Sequence, residues 1–286
     1  MATKRSRALE WLSTPLLLSP AIIMLVIFLI LGLVYGLNIS LVSNGGYTLQ
    51  NYATVFEGYS DTLLFTLSMS AGITIILAVL CLPVAYYLAI RVKSDTIKLV
   101  ALLLMLVPFW TDWNIRAISW YPVLGATGFF NIIYSVILQS LGFQNVEPLR
   151  ILFTSSGVWL SWIQTYILFM IAPVYLVLLR MDPKLIKAAA TLRANSVKTF
   201  YHITLKWAAP GLVIGSVFVF CMAMADYATP SLIGGQMPVI GFVIWILAAK
   251  AMAFDLAIAL SAIVLAIIIA LVVAMLKLVD VTRVMY

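Results

Sequence analysis

From Leu16 to Leu37 the chain runs for 22 residues without a charged side chain. As a helix rising about 1.5 Å per residue, such a run matches the roughly 30 Å hydrocarbon thickness of a bilayer. Lys4, Arg5 and Arg7 precede it, as basic residues precede a signal peptide's apolar core. The run is longer than such a core, however, and lacks a small-x-small cleavage pattern, so it predicts a retained first helix. The rest of the chain agrees. It is 64% hydrophobic and 9% charged, whereas a soluble domain has about 25% charged residues. With 17 Lys+Arg and 10 Asp+Glu among 286 residues, there is too little charge to clothe a water-soluble globule. The composition excludes that class and leaves an integral membrane protein.

Hydropathy predicts five further spans, at Thr62–Ile90, Leu99–Pro108 running on past the break, Ile151–Leu179, Gly211–Ala225 and Leu256–Leu276. The expected fold is all-α and polytopic, with six transmembrane helices. Segments 110–150 and 226–250 are interrupted by Pro, Gly, Trp and Tyr, and are expected to form short re-entrant or interfacial pieces, because irregular backbone at membrane depth needs a protein or water-filled surround. With residues 1–15 as a cytoplasmic N-terminal segment and 16–286 as the membrane domain, all of the 17 Lys+Arg except Arg116, Arg150 and Lys250 fall on the cytoplasmic side. That asymmetry predicts an N-in, C-in orientation. The net charge of +7 is then a topology signal and implies no nucleic-acid partner. Trp11, Trp110, Trp113, Trp120, Trp207, Tyr47, Tyr52 and Tyr59 fall near expected helix ends, as an interfacial belt does. Gly32-x-x-x-Gly36 and Gly211-x-x-x-Gly215 permit close helix contact, a spacing that can also serve a dimer face.

The chemistry of catalysis is missing from the sequence. There is no P-loop and no H-E-x-x-H motif. His202 is the only histidine, and Cys81 and Cys221 lie in apolar runs, which leaves no candidate catalytic residue, metal site or disulfide framework. No expected span carries the paired ionisable groups of a proton-coupled carrier, and no internal repeat marks a secondary transporter. The pattern is that of a conduit energised by something else, and not of an enzyme.

The longest expected cytoplasmic loop, residues 181–210, carries a helical hairpin. Asp182 and Pro183 form an N-cap and N1 pair, and Leu185, Ala188, Ala189 and Leu192 follow at helical spacing. Asn195 is suited to a left-handed turn and Ser196 to capping a second helix, which Phe200, Ile203 and Leu205 continue until Pro210 precedes the next span. The small Ala188–Ala190 face admits another backbone, and Phe200 and Tyr201 can enter a partner's pocket. A bland alternative is an amphipathic loop lying on anionic lipid.

This stretch resembles the EAA loop of bacterial ABC importer permeases, roughly E-A-A-x-x-x-G-A followed by F-x-x-I-x-L-P and a later Pro. The chain keeps Ala188, Ala189, Ala194, Phe200, Ile203, Leu205 and Pro210; it has Lys187 in place of Glu, Arg193 in place of Gly and Lys206 in place of Pro. Other segments resemble permeases of the spermidine/putrescine type. They are Val107-Pro-Phe-Trp-Thr-Asp-Trp-Asn-Ile-Arg116, Gly128 to Asn131, Phe153-Thr154, Phe169-Met170 with Pro173 and Tyr175, and Ala225-Asp-Tyr-Ala-Thr-Pro-Ser-Leu-Ile-Gly-Gly235.

The resemblance implies a type I ABC importer permease fold in the bacterial cytoplasmic (inner) membrane. It implies an ABC ATPase dimer as partner, with ATP and Mg bound there and no cofactor on this chain. It also implies a second permease subunit and an extracytoplasmic substrate-binding protein. Lys187, Ala188, Ala189, Arg193, Ala194, Phe200, Ile203 and Leu205 then form the ATPase-coupling element, and Lys187 at the usually acidic position suggests a heterodimer whose other permease carries the acidic loop. A polyamine-like organic cation would need carboxylates and aromatic faces, for which Asp112, Asp226, Trp110, Trp113, Tyr121 and Tyr227 are the candidates. A purely structural reading stands beside it, with Asp226 capping a half-helix and Asp112 paired with Arg116. Arg116 equally suits a carboxylate or phosphonate, so an amino acid, opine or aminophosphonate cargo stays open, as do a secondary carrier and a membrane scaffold.

Overall fold

In a computed structural model, residues 4–43, 45–144, 146–182 and 184–278 are described; Pro183 and the C-terminal residues from Val279 lie outside them. Thirteen α-helices are defined among the described residues, along with one two-stranded ribbon pairing Val42 with Tyr47 and Ser43 with Gly46. Among the described residues, six stretches are long and apolar enough to cross a membrane: Leu18–Ser40, Gln50–Arg91, Trp113–Ser140, Ser155–Leu179, Ser196–Ala225 and Phe254–Met275.

The number of spans is the expected one, but their limits differ. Helix α1 runs Lys4–Ser40, so the backbone of the N-terminal segment is continuous with the first span. Helix α2, Gln50–Tyr86, starts 12 residues before the expected Thr62, because Glu57 and Asp61 end the hydropathy signal without breaking a helix. It passes Pro83 and closes in a π-turn, Tyr87–Arg91. The expected third span is the main correction. Helix α3, Asp95–Leu106, has 12 residues, about 18 Å, and Pro108 diverts it into a 3₁₀ turn, Val107–Trp110. The long apolar stretch lies downstream, through α4 (Trp113–Ile118), α5 (Tyr121–Leu124) and α6 (Phe129–Ser140). Segment 110–150 is therefore more helical than expected. Segment 226–250 does consist of short pieces, α11 (Ala228–Leu232) and α12 (Ile240–Ala249).

The chain divides into two compact units. One comprises residues up to Gly58 with Leu247–Ile263. Within it, Asn51 Nδ2 donates to the carbonyls of Ser40 and Val42, 2.9 and 3.2 Å away, fixing the turn between α1 and α2. From Leu18 to Leu37 the apolar side chains of α1 are exposed all round, the pattern of a helix whose solvent is lipid.

The other unit comprises Tyr59–Ile246 with residues from Val264. Its core is three helical stripes. Ile73, Leu77, Cys81 and Ala85 recur every four residues on α2, as do Val158, Trp162, Tyr166, Met170, Val174 and Leu178 on α7 (Ser155–Leu179), all fully buried. Helix α10 (Leu205–Ala225) supplies Ala208, Val219 and Ala223. Helices α7 and α10 pack along their length. A Cβ on Gly211 would lie 2.7 Å from Val174 Cα and 2.8 Å from the Pro173 carbonyl oxygen, and one on Gly215 3.1 Å from Met170 Cα. The Gly211-x-x-x-Gly215 pair is therefore spent on an intramolecular crossing, where small residues let two backbones meet.

Candidate substrate cavity and coupling hairpin

Asp226 ends α10 and is only 5% exposed. Its Oδ2 accepts hydrogen bonds from Trp162 Nε1 at 2.6 Å and Tyr166 Oη at 3.2 Å, two residues one turn apart on α7. Its Oδ1 accepts from the backbone N–H groups of Ala228 and Thr229, at 2.9 and 3.2 Å, at the start of α11. Four donors meet one buried carboxylate, which is how a protein tolerates such a group away from water. The expected half-helix cap is thus present, and it is joined by a tie from α10 to α7 that the sequence reading lacked. Trp162 and Tyr166 are the residues it missed. Their signal was a Trp and a Tyr at i and i+4 inside an otherwise apolar span, two polar handles that need a partner when buried.

Beside this node lies a cavity of about 450 Å³ lined by Asp112, Trp113, Asn114, Met222, Ala225, Asp226, Tyr227 and Ala228. It brings together four of the seven expected pathway residues: Asp112, Trp113, Asp226 and Tyr227. Asp112 is exposed and caps α4, its Oδ1 accepting from the N–H groups of Asn114 and Ile115 at 2.8 and 3.4 Å. Tyr227 stacks on Trp245, ring centres 6.2 Å apart and 7° from parallel, and Trp245 stacks in turn on Phe242.

The other three lie apart from that lining. Trp110 is 90% exposed. Tyr121 donates its phenol to the Leu232 carbonyl at 2.8 Å and packs edge-on against Phe153, so it holds the end of α11. Arg116 is 6% exposed. It is not ion-paired with Asp112, contrary to the structural expectation; Lys98 and Asp95 do pair, at 3.2 Å. The Asp112 carboxylate is turned instead to its helix cap. Arg116 donates through Nη2 to the Thr111 carbonyl at 3.0 Å and lies over Phe109, 5.0 Å from the ring centre, and near Trp113, 6.0 Å away. Its Nε and Nη1 are buried without a hydrogen-bond partner among the described residues.

Asn131 also has a definite role. Its Nδ2 donates to the carbonyls of Gly125 and Leu149, and its Oδ1 accepts from the Leu149 N–H at 2.7 Å, which ties α6 to the segment before α7.

The hairpin forms as α8 (Lys184–Thr191) and α9 (Ser196–Thr199), the latter continuing through a π-turn, Phe200–Thr204, into α10. Pro210 lies inside α10, so the second hairpin helix and the fifth span are one stretch, Ser196–Ala225, and not two elements parted by proline. Helix α8 ends in a Schellman turn. Ala194 N–H donates to the Ala189 carbonyl and Arg193 N–H to that of Ala190, both at 3.0 Å, with Arg193 at φ 54°. The left-handed residue is therefore Arg193. Asn195 is extended and serves as the cap of α9, accepting from Lys198 N–H at 2.8 Å. On the hairpin, Lys187, Ala188 and Arg193 are exposed, Ala189 is buried, and Ala194, Phe200, Ile203 and Leu205 are half-buried. Phe200 meets Tyr86 at the end of α2 edge-on, 6.5 Å between ring centres.

No protein-family model matches the chain. It is 32% identical over 201 residues to the inner membrane ABC transporter permease protein YdcU of Escherichia coli, across 65% of this chain and 62% of that one. It is 33% identical over 190 residues to the spermidine/putrescine transport system permease protein PotB of Salmonella typhimurium, across 66% of this chain and 64% of that one. The matched part thus spans a little under two thirds of these relatives' length. Among solved structures, a chain of a bacterial alginate ABC transporter, in complex with an alginate pentasaccharide-bound periplasmic protein, has a TM-score of 0.75 at 18% identity. That match covers 95% of this chain and 94% of that one. A chain of a bacterial ABC transporter involved in import of the acidic polysaccharide alginate gives 0.68 at 16%. The chain is a multi-pass inner-membrane protein with the fold of these transporter chains, homologous to the spermidine/putrescine-type ABC transporter permeases.

Proposed function

We propose that this chain is a permease subunit of an ATP-driven importer that moves a small polar metabolite, a polyamine-like organic cation, from an extracytoplasmic binding protein into the cytoplasm. The observation that carries the reading is the relationship at 33% identity to a spermidine/putrescine permease, joined to a cavity that carries two carboxylates and two aromatic rings. In this reading the chain lies N-in, C-in, with residues 1–15 cytoplasmic and 16–286 the permease domain. It pairs with a second permease that carries the acidic form of the loop, and the two sit on an ATPase dimer that binds ATP and Mg. Basic residues of the cytoplasmic side rest near anionic lipid headgroups. Closure of the ATPases moves residues 184–206, and the continuous helix from Ser196 to Ala225 carries that displacement to Asp226 at the cavity, a rigid-body route between two discrete arrangements.

The test is to purify the chain in mild detergent with its genomic neighbours co-expressed, identify stoichiometric partners by mass spectrometry, and measure uptake of radiolabelled putrescine. A co-purifying P-loop ATPase, a second permease and ATP-dependent uptake are expected. Recovery of the chain alone, under conditions that keep such assemblies intact, would overturn the importer reading in favour of a carrier or scaffold. A second cargo reading has its own observation. Arg116, beside the cavity-wall residue Trp113 and with Nε and Nη1 unpartnered among the described residues, favours an amino acid, opine or aminophosphonate, and competition of uptake by anionic solutes in place of diamines would select it.

A further inference from the structure

Two carboxylates line the cavity, and their hydrogen bonding divides the work between them. Both oxygens of Asp226 are taken, Oδ2 by Trp162 and Tyr166 and Oδ1 by two backbone N–H groups. A cation approaching Asp226 would compete with four donors already in place and would have to open the joint between α7, α10 and α11. Asp112 differs. Its Oδ1 accepts the two N–H groups of the α4 cap, while Oδ2 has no hydrogen-bond partner among the described residues, and the side chain is exposed on the cavity wall. The cap holds the carboxylate at a fixed orientation and still leaves one oxygen free. The aromatic walls are also unequal. Trp113 is engaged by Arg116, 6.0 Å from its ring, and by Tyr166, 5.8 Å between ring centres. Tyr227 is 44% exposed and backed by the Trp245 ring.

We infer that Asp112 and Tyr227 are the cargo-facing pair of this cavity, selecting a primary or quaternary ammonium group, and that Asp226 is the latch that shapes the cavity without touching cargo. The inference rests on the cavity of the proposed importer but needs neither its ATPase nor its natural cargo to be tested.

The test reads the charge preference of the cavity directly. In the full chain with Cys81 and Cys221 replaced by Ala, Tyr227→Cys places a thiol on the cavity wall. Its labelling rates are compared for a cationic (trimethylammonium-ethyl) and an anionic (sulfonatoethyl) methanethiosulfonate, each normalised to a free thiol. The cationic reagent is expected to be favoured, and Asp112→Asn should lower that preference about fivefold, the effect of one partly screened charge across a small cavity. Asn caps a helix as well as Asp does, so α4 stays in place, and Asp112→Glu should keep the preference. Because the Asp226 charge is opposed by four donors, Asp226→Asn is expected to lower the preference less than Asp112→Asn does while lowering thermal stability; if that variant does not fold, Trp162→Phe tests the latch in its stead. An unchanged preference in Asp112→Asn, or a collapse in a folded Asp226→Asn alone, would overturn the assignment. The labelling result is independent of partner recovery, so its failure and that of the importer reading are separable.

Discussion

The indole Nε1–H of Trp162 lies 2.6 Å from Oδ2 of Asp226, and both residues are buried, so a span-forming helix and the end of another share one charge-assisted hydrogen bond. Such a bond to a charged group is worth about 1.5–3 kcal/mol. Trp162→Phe keeps much of the ring volume and removes the donor, so it should lower stability by about 2 kcal/mol. Tyr166→Phe should cost less, because its proton is shared between Asp226 at 3.2 Å and the Met222 carbonyl at 3.4 Å. Asp226→Ala should cost most, since it strands two side-chain and two backbone donors. Melting curves of the purified protein in one detergent give the order, and a Trp162→Phe variant as stable as the parent would refute the role given to the latch.

That tie marks where sequence reading stops. Apolar run length is a one-dimensional property, and it is enough to count six spans, because the bilayer imposes a minimum length on each. Helix ends are set by backbone hydrogen bonding, which continues past the lipid boundary. Thus α2 begins at Gln50 although Glu57 and Asp61 interrupt its hydropathy, and α10 incorporates Pro210. The third span was displaced because Pro108 and Gly125 split a region whose apolar content is shared among three short helices. At the site, Asp112 and Asp226 were legible as intramembrane or membrane-edge acids. The difference between them was not, because it depends on Trp162 and Tyr166, 64 and 60 residues before Asp226 along the chain.

Arg193 occupies the left-handed position of the α8 Schellman turn at φ 54°, where an L-residue pays for the crowding of its Cβ and glycine does not. Arg193→Gly should therefore slow amide exchange across residues 188–194 and stabilise the turn by about 1 kcal/mol. Arg193→Val should have the opposite effect, since a β-branched side chain is poorly suited to this region. Hydrogen-exchange mass spectrometry on the full chain resolves the two. Equal protection in all three proteins would mean that the turn is held by other contacts.

Asn131 makes three hydrogen bonds to the Gly125 and Leu149 backbones. Asn131→Ala leaves the Leu149 N–H and carbonyl without that partner and should loosen the segment before α7 more than it lowers global stability. Limited proteolysis should find new cleavage within residues 141–150. Asn131→Asp is a sharper comparison: it keeps the acceptor for Leu149 N–H but faces two carbonyl oxygens with a carboxylate, so it should be at least as disruptive as the alanine variant.

The crossing of α7 and α10 predicts an order among glycine substitutions that hydropathy alone does not give. At Gly211 an added Cβ would meet backbone, Val174 Cα at 2.7 Å and the Pro173 carbonyl oxygen at 2.8 Å. At Gly215 its closest neighbour is Met170 Sδ at 2.8 Å, the movable part of a flexible side chain, although Met170 Cα follows at 3.1 Å. At Gly32 nothing lies within 4 Å. Backbone cannot retreat without moving a helix, whereas a thioether can change rotamer. Gly211→Ala should thus cost about 2–3 kcal/mol, the upper part of the range for overpacking, with Gly215→Ala below it and Gly32→Ala near zero. Because α10 also carries Asp226 at its far end, Gly211→Ala should disturb the cavity as well, visible as altered labelling of the thiol in Tyr227→Cys. If Gly215→Ala proved the more damaging, the closest approach of the two helices would have to lie nearer the cavity than Pro173.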